Sequence, residues 1–487
     1  MTDTRSYRFA DAQRPGMLIG LSGRQAVPLV SGVLFLALVL QTPLPAIVGV
    51  LGPALGCTVA FGRWRGTPLA ETLVPGARLL IGRRGRRRRW VMPLLADNTH
   101  APLPQVLAGM ELVDDPHTGF GVVRDRTAGT LSAVVRVHGH GFALASGREQ
   151  DAILAAWGGA LSPFAREQSP VAQVVWQEWA HPVTADTHQE FLAAIGLDRR
   201  AEQPAVADYR ALVDEQAPVT IAHETLVTVT VDQRRVRTRR RVGSRLAAAV
   251  ETLRDEVRLF TTRLDTAGIA VEAPLSALEL STAVRLRSDP ARAARVIGLG
   301  RSLAAATRRG ALEWGPMLVE PQWGHVHVDA AYHRAYRVAG WPPLPVGADW
   351  LGGILIDTPC VRTVTVVLEP VPMGRAARAA DREVMAREAD AALKTEKGFR
   401  VTAREKKRLA DVENRERELS EGHAEFRFAG IVTVTASDLD TLDDHCADVE
   451  QAAGQCLVDL RPLEARHEAG WVASLPLGRI VARGTGP

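Results

Sequence analysis

The chain has 487 residues, 46% hydrophobic and 23% charged, with a formal net charge of +4. That length and ordinary apolar content allow two or three domains with a substantial core, and they exclude a disordered tail protein or a many-span transporter. Charge is unevenly spread: residues 1–100 hold thirteen Arg against four acidic residues, while the other 387 hold 46 basic against 51 acidic ones, net −5. A nucleic-acid-binding body would spread a basic stripe over its folded surface. Lysine occurs only at Lys394, Lys397, Lys406 and Lys407, an arginine bias expected of a GC-rich bacterial genome.

Between Arg24 and Arg63 lie 38 residues without a charge. One helix of that length would reach about 57 Å, roughly twice a bilayer's hydrocarbon core. Pro43 and Pro45 in the central QTPLP mark a turn, so the run predicts a transmembrane helical hairpin with spans at about 26–41 and 45–61. A secretory signal fits poorly, because four arginines precede the run and a second apolar stretch follows it. Arginines flank both ends, which places both termini in the cytoplasm and the protein in the bacterial inner membrane. Residues 67–104 then read as a basic juxtamembrane connector. Its cluster Arg83, Arg84, Arg86, Arg87, Arg88 and Arg89 is expected to contact lipid headgroups, with Trp90 as an interfacial anchor.

Beyond the connector, period-2 strands alternate with helical stretches. The segments 120–125 and 129–139 predict a hairpin about Asp125–Gly129. A helix is expected at 148–161, a strand at 171–180, a helix at 188–215 and a strand at 224–232. A long amphipathic helix at 241–267, a short strand and a helix near 276–287 follow. The region 360–463 reads strand, two charged helices (373–395 and 402–421), strand at 425–436, helix, strand, with Ser437 as the expected N-cap. The expected fold class is therefore α+β: the membrane hairpin followed by cytoplasmic mixed-sheet domains with split β-α-β (ferredoxin-like) units. The divisions fall at 1–66, 67–104, 105–345 and 346–487, the last carrying the charged helical hairpin 373–421.

Chemical signatures are sparse. No GxxxxGK[ST] loop occurs, so the apolar GGILID ending at Asp357 reads as a buried strand end rather than part of a nucleotide site. The GLGRS at 298–302 lacks the rest of a dinucleotide fingerprint. His138/His140 and His325/His327 could each begin a metal site but have no matched third ligand nearby, and the four cysteines show no CxxC spacing. No catalytic residue, cofactor or metal is expected, and the chain reads as a non-enzyme.

Several stretches taken together resemble a known family. They are Trp314-Gly315-Pro316; Trp323-Gly324-His325; Asp329 through His333, including Tyr332; Tyr336 through Trp341-Pro342; Gly422-His423 after the charged helices; and Ala473 through Gly478, including Pro476. In this order the chain resembles actinobacterial membrane proteins of conjugation-type secretion clusters. These have a PrgI-like N-terminal membrane segment and a body similar to the N-terminal domain of TraC-like type IV secretion ATPases, without the motor domain. The aromatics Tyr332, Tyr336, Trp341 and Trp350 have a simpler reading as caps on a sheet.

The resemblance implies a structural, docking component of a conjugation or type IV-like apparatus. Its partners would be membrane lipids, a separate secretion ATPase and further copies of itself; direct nucleic acid binding is not expected. The alternatives are a type VII secretion membrane subunit, a membrane-tethered DNA-binding protein that uses the Arg cluster, and a membrane enzyme of unrecognised type.

Overall fold

The computed structural model describes residues 7, 9, 23–42, 45–64, 67–84, 89–93, 102–139, 141–182, 192, 195–197, 203–216, 221–236, 244–292, 314–396 and 403–479. The uncharged run forms two helices, α1 (Gly23–Val39) and α2 (Ala46–Phe61). They pack antiparallel through small residues. A Cβ on Gly32 would stand 2.6 Å from the Gly52 carbonyl oxygen, and one on Gly56 would stand 2.6 Å from that of Pro28.

Among the described residues no helix is long and apolar enough to cross a membrane. The helices have 17 and 16 residues, against about 20 for a span. The prolines and polar residues at the centre of the run divide it into two pieces, each below spanning length. The expected transmembrane hairpin is not shown, and the assignment to the inner membrane with cytoplasmic termini, together with the membrane and transmembrane designations, is not supported.

After α2, β1 (Arg63–Trp64) pairs with β2 (Thr67–Pro68), which leads into α3 (Leu69–Arg84). The next strands are β3 (Trp90–Val91), β4 (Met110–Asp114), β5 (Gly121–Asp125) and β6 (Thr130–His138). Then come α4 (Gly147–Leu161), β7 (Val171–Pro182), α5 (Pro204–Gln216), β8 (Ile221–Asp232), α6 (Arg245–Thr266), β9 (Ala270–Val271) and α7 (Ala277–Ser288). A meander of β10 (Leu318–Pro321), β11 (Val326–Val328) and β12 (Ala331–Gly340) precedes the short α8 (Gly352–Leu355). The chain continues through β13 (Arg362–Val371), α9 (Met373–Glu396), α10 (Ala403–Ser420), β14 (Glu425–Ala436), α11 (Leu439–Gln455), β15 (Asp459–Pro462) and α12 (His467–Ala473).

All strands from β3 onward join one 13-stranded sheet. Its pairings are antiparallel throughout, which corrects the expected mixed sheets. The helical crossovers β6–α4–β7, β8–α6–β9 and β14–α11–β15 each place the chain two strands away, so an intervening strand of opposite direction fills the gap. The sheet contains the same arrangement twice. Strands β9, β6, β8 and β7 lie side by side in that order, and so do β15, β12, β14 and β13. Numbered along the chain within each set, both read 4-1-3-2, the order of a split β-α-β unit. The two sets meet where β7 pairs with β13 from Val174↔Leu368 to Ala180↔Arg362.

Both faces of the sheet are covered, which gives three layers. In β6, Leu131, Ala133 and Val135 face a core with Leu253 and Phe260 of α6, whereas Val134 faces the opposite core with Leu280 and Val284 of α7 and Trp471 of α12. A third cluster lies under α11 and is bounded by Val364, Val432, Val434, Leu442 and Val449. Trp176 touches both this cluster and the α6 core, so α6 and α11 share one face and α7 and α12 the other. Capping boxes at Ser146/Glu149 and Ser276/Glu279 start α4 and α7 by satisfying their free amides. Helix α11 is capped one residue later than expected, by Asp438, whose Oδ1 accepts from Thr441 N at 2.8 Å.

Candidate docking surfaces and polar clusters

The expected lipid-contact cluster is only partly described. Arg83 and Arg84 end α3, with side chains outside the described residues, and Arg86, Arg87 and Arg88 also lie outside them. Arg89 is exposed, with its Nε 4.0 Å from Glu320 on β10. Trp90 pairs with Val319 and packs against the α7–α12 core.

The residues that carried the resemblance sit mostly around β10–β12 and the C-terminal segment. Trp314 and Pro316 are buried beside that same core, and a Cβ on Gly315 would stand 2.5 Å from Leu103 Cδ2. Asp329 takes a left-handed φ of 52°. Its Oδ1 accepts from the amides of Met317 and Leu318 at 2.7 and 2.9 Å, which closes the β10–β11 end. Trp323 lies against Gly76 of α3, where a Cβ would stand 2.9 Å from the indole. Tyr332 stacks on His327 with centroids 4.3 Å apart. Gly422, at φ 90°, ends α10, and the His423 amide donates to Glu418 O at 3.0 Å. These are turn-makers and packing residues, each with a structural partner.

Tyr336 opens onto a cavity of about 590 Å³ lined in part by Arg334, Asp443, Cys446, Glu450 and Glu464. Its hydroxyl donates to Glu450 Oε1 at 2.9 Å, and Arg334 pairs with Asp443 at 2.7 Å. Burial pushes the Tyr336 phenol far above its usual range and raises the Cys446 thiol. Both stay protonated at neutral pH, so neither supplies a nucleophile there.

The other chemistry-bearing residues do not converge. His138 Nε2 lies 2.6 Å from Glu272 Oε1, and His140 is outside the described residues. His325 and His327 flank the Tyr332 ring. Among the described residues no group of three His, Cys, Asp or Glu could hold a metal. The stretch 298–302 lies outside the described residues. GGILID is not a strand end: Gly352–Leu355 is helical and Asp357 is exposed. The carbonyls of Leu355, Thr358 and Cys360 instead turn inward to accept from the fully buried Arg362 guanidinium.

Sequence reasoning missed three features. One is Arg362. Another is the network in which Glu224 accepts from Arg287 at 2.6 Å and from Arg136 at 2.8 and 3.0 Å, with Arg287 also 4.6 Å above the Trp179 ring. The third is a polar sheet face. Gln173 Nε2 donates to Gly478 O at 2.9 Å and Gln177 Nε2 to Ala473 O at 2.9 Å, so the segment after α12 is strapped across β7 by its own carbonyls. Pro476 lies buried in this strap.

The charged helices form an antiparallel pair rooted on the sheet. Ala376, Ala380 and Val412 are buried at the root. Arg415 bridges Glu383 at 2.9 Å and Glu425 at 2.8 Å. Further along α9, Met385 is 68% exposed and Leu393 48%. No family model and no curated protein matches this chain.

Proposed function

We propose that the chain is a non-catalytic assembly component of a conjugation or type IV-like secretion apparatus, docking a separate secretion ATPase or further copies of itself. The sequence resemblance supports the class, since it pairs this body with a motor supplied by another chain. The α9–α10 pair is the observation that carries the docking role. Its root is fixed by buried alanines and the Arg415 bridges, while Met385 and Leu393 stand exposed further along α9. These two side chains offer apolar area to a partner on a helical pair otherwise rich in charge.

The test is affinity capture of the tagged full chain from its native host, followed by mass spectrometry for a co-purifying ATPase. Met385→Asp with Leu393→Asp should abolish capture and leave the circular dichroism and melting unchanged. A purified chain that captures neither an ATPase nor itself, or that turns over ATP alone, overturns the proposal.

A further inference from the structure

The N-terminal arm is seated on the body by contacts with the form of a peptide-recognition site. Tyr7 and Val346 exchange both backbone hydrogen bonds, at 2.8 and 3.0 Å, as neighbouring strands do. Two residues on, the same face of the arm presents Phe9 to an aromatic socket. Its ring stacks on Trp341 at 5.2 Å and meets Trp350 edge-on at 5.0 Å, with Phe428 of β14 at 6.1 Å. The socket has its floor because residue 430 is glycine: a Cβ there would stand 3.0 Å from the Trp341 ring. The Tyr7 hydroxyl donates to Asp151 Oδ1 of α4 at 2.7 Å, so the arm touches both split β-α-β units. Main-chain pairing supplies affinity and the side-chain pocket supplies selectivity, the logic of strand addition.

None of these contacts depends on the arm belonging to the same chain. Thirteen residues separate Phe9 from Gly23, a reach of up to about 45 Å when extended. Directly after them come α1 and α2, where Val27, Leu34, Leu38, Ile47, Leu51 and Leu55 are each more than 60% exposed. Exposed apolar side chains in that number on two adjoining helices mark an association face. For two copies that associate through this face, a linker of that reach lets each arm dock on its neighbour, and exchanging arms loses no contact in a closed pair.

We propose that the Trp341–Trp350–Phe428 socket is an inter-copy docking site, filled by the Tyr7–Phe9 segment of a second copy so that exchanged arms link the assembly. This rests on the self-association half of the function proposed above and adds its contact residues.

Disulfide trapping tests it in the full chain, in a Cys57→Ser background that removes the exposed thiol. Directly paired strand residues lie about 5.5 Å apart at Cα, within disulfide range. Tyr7→Cys and Val346→Cys are placed on separate chains, mixed and oxidised. A covalent heterodimer that disappears when Phe9→Ala is added to the arm-bearing chain is the expected result. Closure only within a single chain carrying both cysteines, closure in neither arrangement, or a heterodimer indifferent to Phe9→Ala each overturns the proposal. ATPase capture plays no part in this readout, so its failure and a failure here are distinguishable.

Discussion

His333 should make the protein acid-sensitive well above the range where carboxylates titrate. Its ring is 1% exposed, with Nδ1 2.9 Å from Thr435 Oγ1 and Nε2 2.9 Å from Ser288 O. A carbonyl can only accept, so Nε2 carries a proton. Burial lowers its pKa from 6.5 to about 4, against the opposing pull of the Ser288 carbonyl, and His327 adds to the lowering. The unfolded chain takes up a proton near pH 6.5 that the folded chain refuses until about pH 4. The stabilisation is therefore whole above pH 6.5 and is lost as pH falls towards 4. At 1.36 kcal/mol per unit the full loss is about 3 kcal/mol. His333→Gln keeps an amide N–H for Ser288 O but does not titrate. Melting both proteins from about pH 7 to about pH 4 should give a difference that shifts by roughly 6–12 °C for a cooperative unit of about 150–250 residues. The remaining histidines cancel in that difference. Parallel curves across the range would refute the reasoning, because His333 would then titrate alike folded and unfolded.

Packing and charge give further expectations. Glu224→Gln strips Arg287, whose side chain is 1% exposed, of its carboxylate and should cost about 3–5 kcal/mol; Arg287→Met added to that variant should recover much of the loss in a denaturant double-mutant cycle. The same pair is acid-labile: burial opposes ionisation of Glu224, but Arg287 and Arg136 outweigh it and hold the carboxyl below 4.5, so its stabilisation is present above 4.5 and lost as pH falls through the lower folded value. Gly478→Ala, at φ 60° and against Ser132 and Thr230, should cost about 1–3 kcal/mol by urea denaturation, whereas Gly454→Ala in α11, with open space around it, should stabilise by roughly 0.5–1 kcal/mol.

Local pattern accounts for the elements that the chain makes legible. The β-branched run at 171–180 becomes Val171–Pro182, EFRFAGIVTVTA becomes Glu425–Ala436, and the two charged helical stretches become α9 and α10. Short apolar runs misled, because a four-residue run cannot distinguish strand from helix; GGILID is helical and wraps its carbonyls onto Arg362. The 38-residue uncharged run was legible as two helices, but spanning depends on the length of each piece, which fell short. Of the docking surfaces, the charged pair was visible from composition. The arm was not: Tyr7 and Phe9 acquire meaning only through Val346 and Trp341, more than three hundred residues away.

The polar sheet face shows why the C-terminal stretch reads as it does. Gln173, Gln177, Ser132, Thr230, Thr365 and Thr433 are all buried, and alternation alone would send such residues to solvent. Gly478 lies over Ser132 and Thr230, Gln173 and Gln177 bind residues 473–478 by their carbonyl oxygens, and Thr433 faces the Gly470 carbonyl of α12. A surface that reads main chain places few demands on side-chain identity and strict ones on backbone shape. Gly478 supplies the left-handed turn at φ 60° where a Cβ would meet Ser132 and Thr230. Leu475 and Leu477 fill the α7–α12 core beneath the strap. The stretch Ala473–Gly478 is thus held through its main chain by two glutamines about three hundred residues earlier, and its tolerance to substitution should be lowest at Gly478.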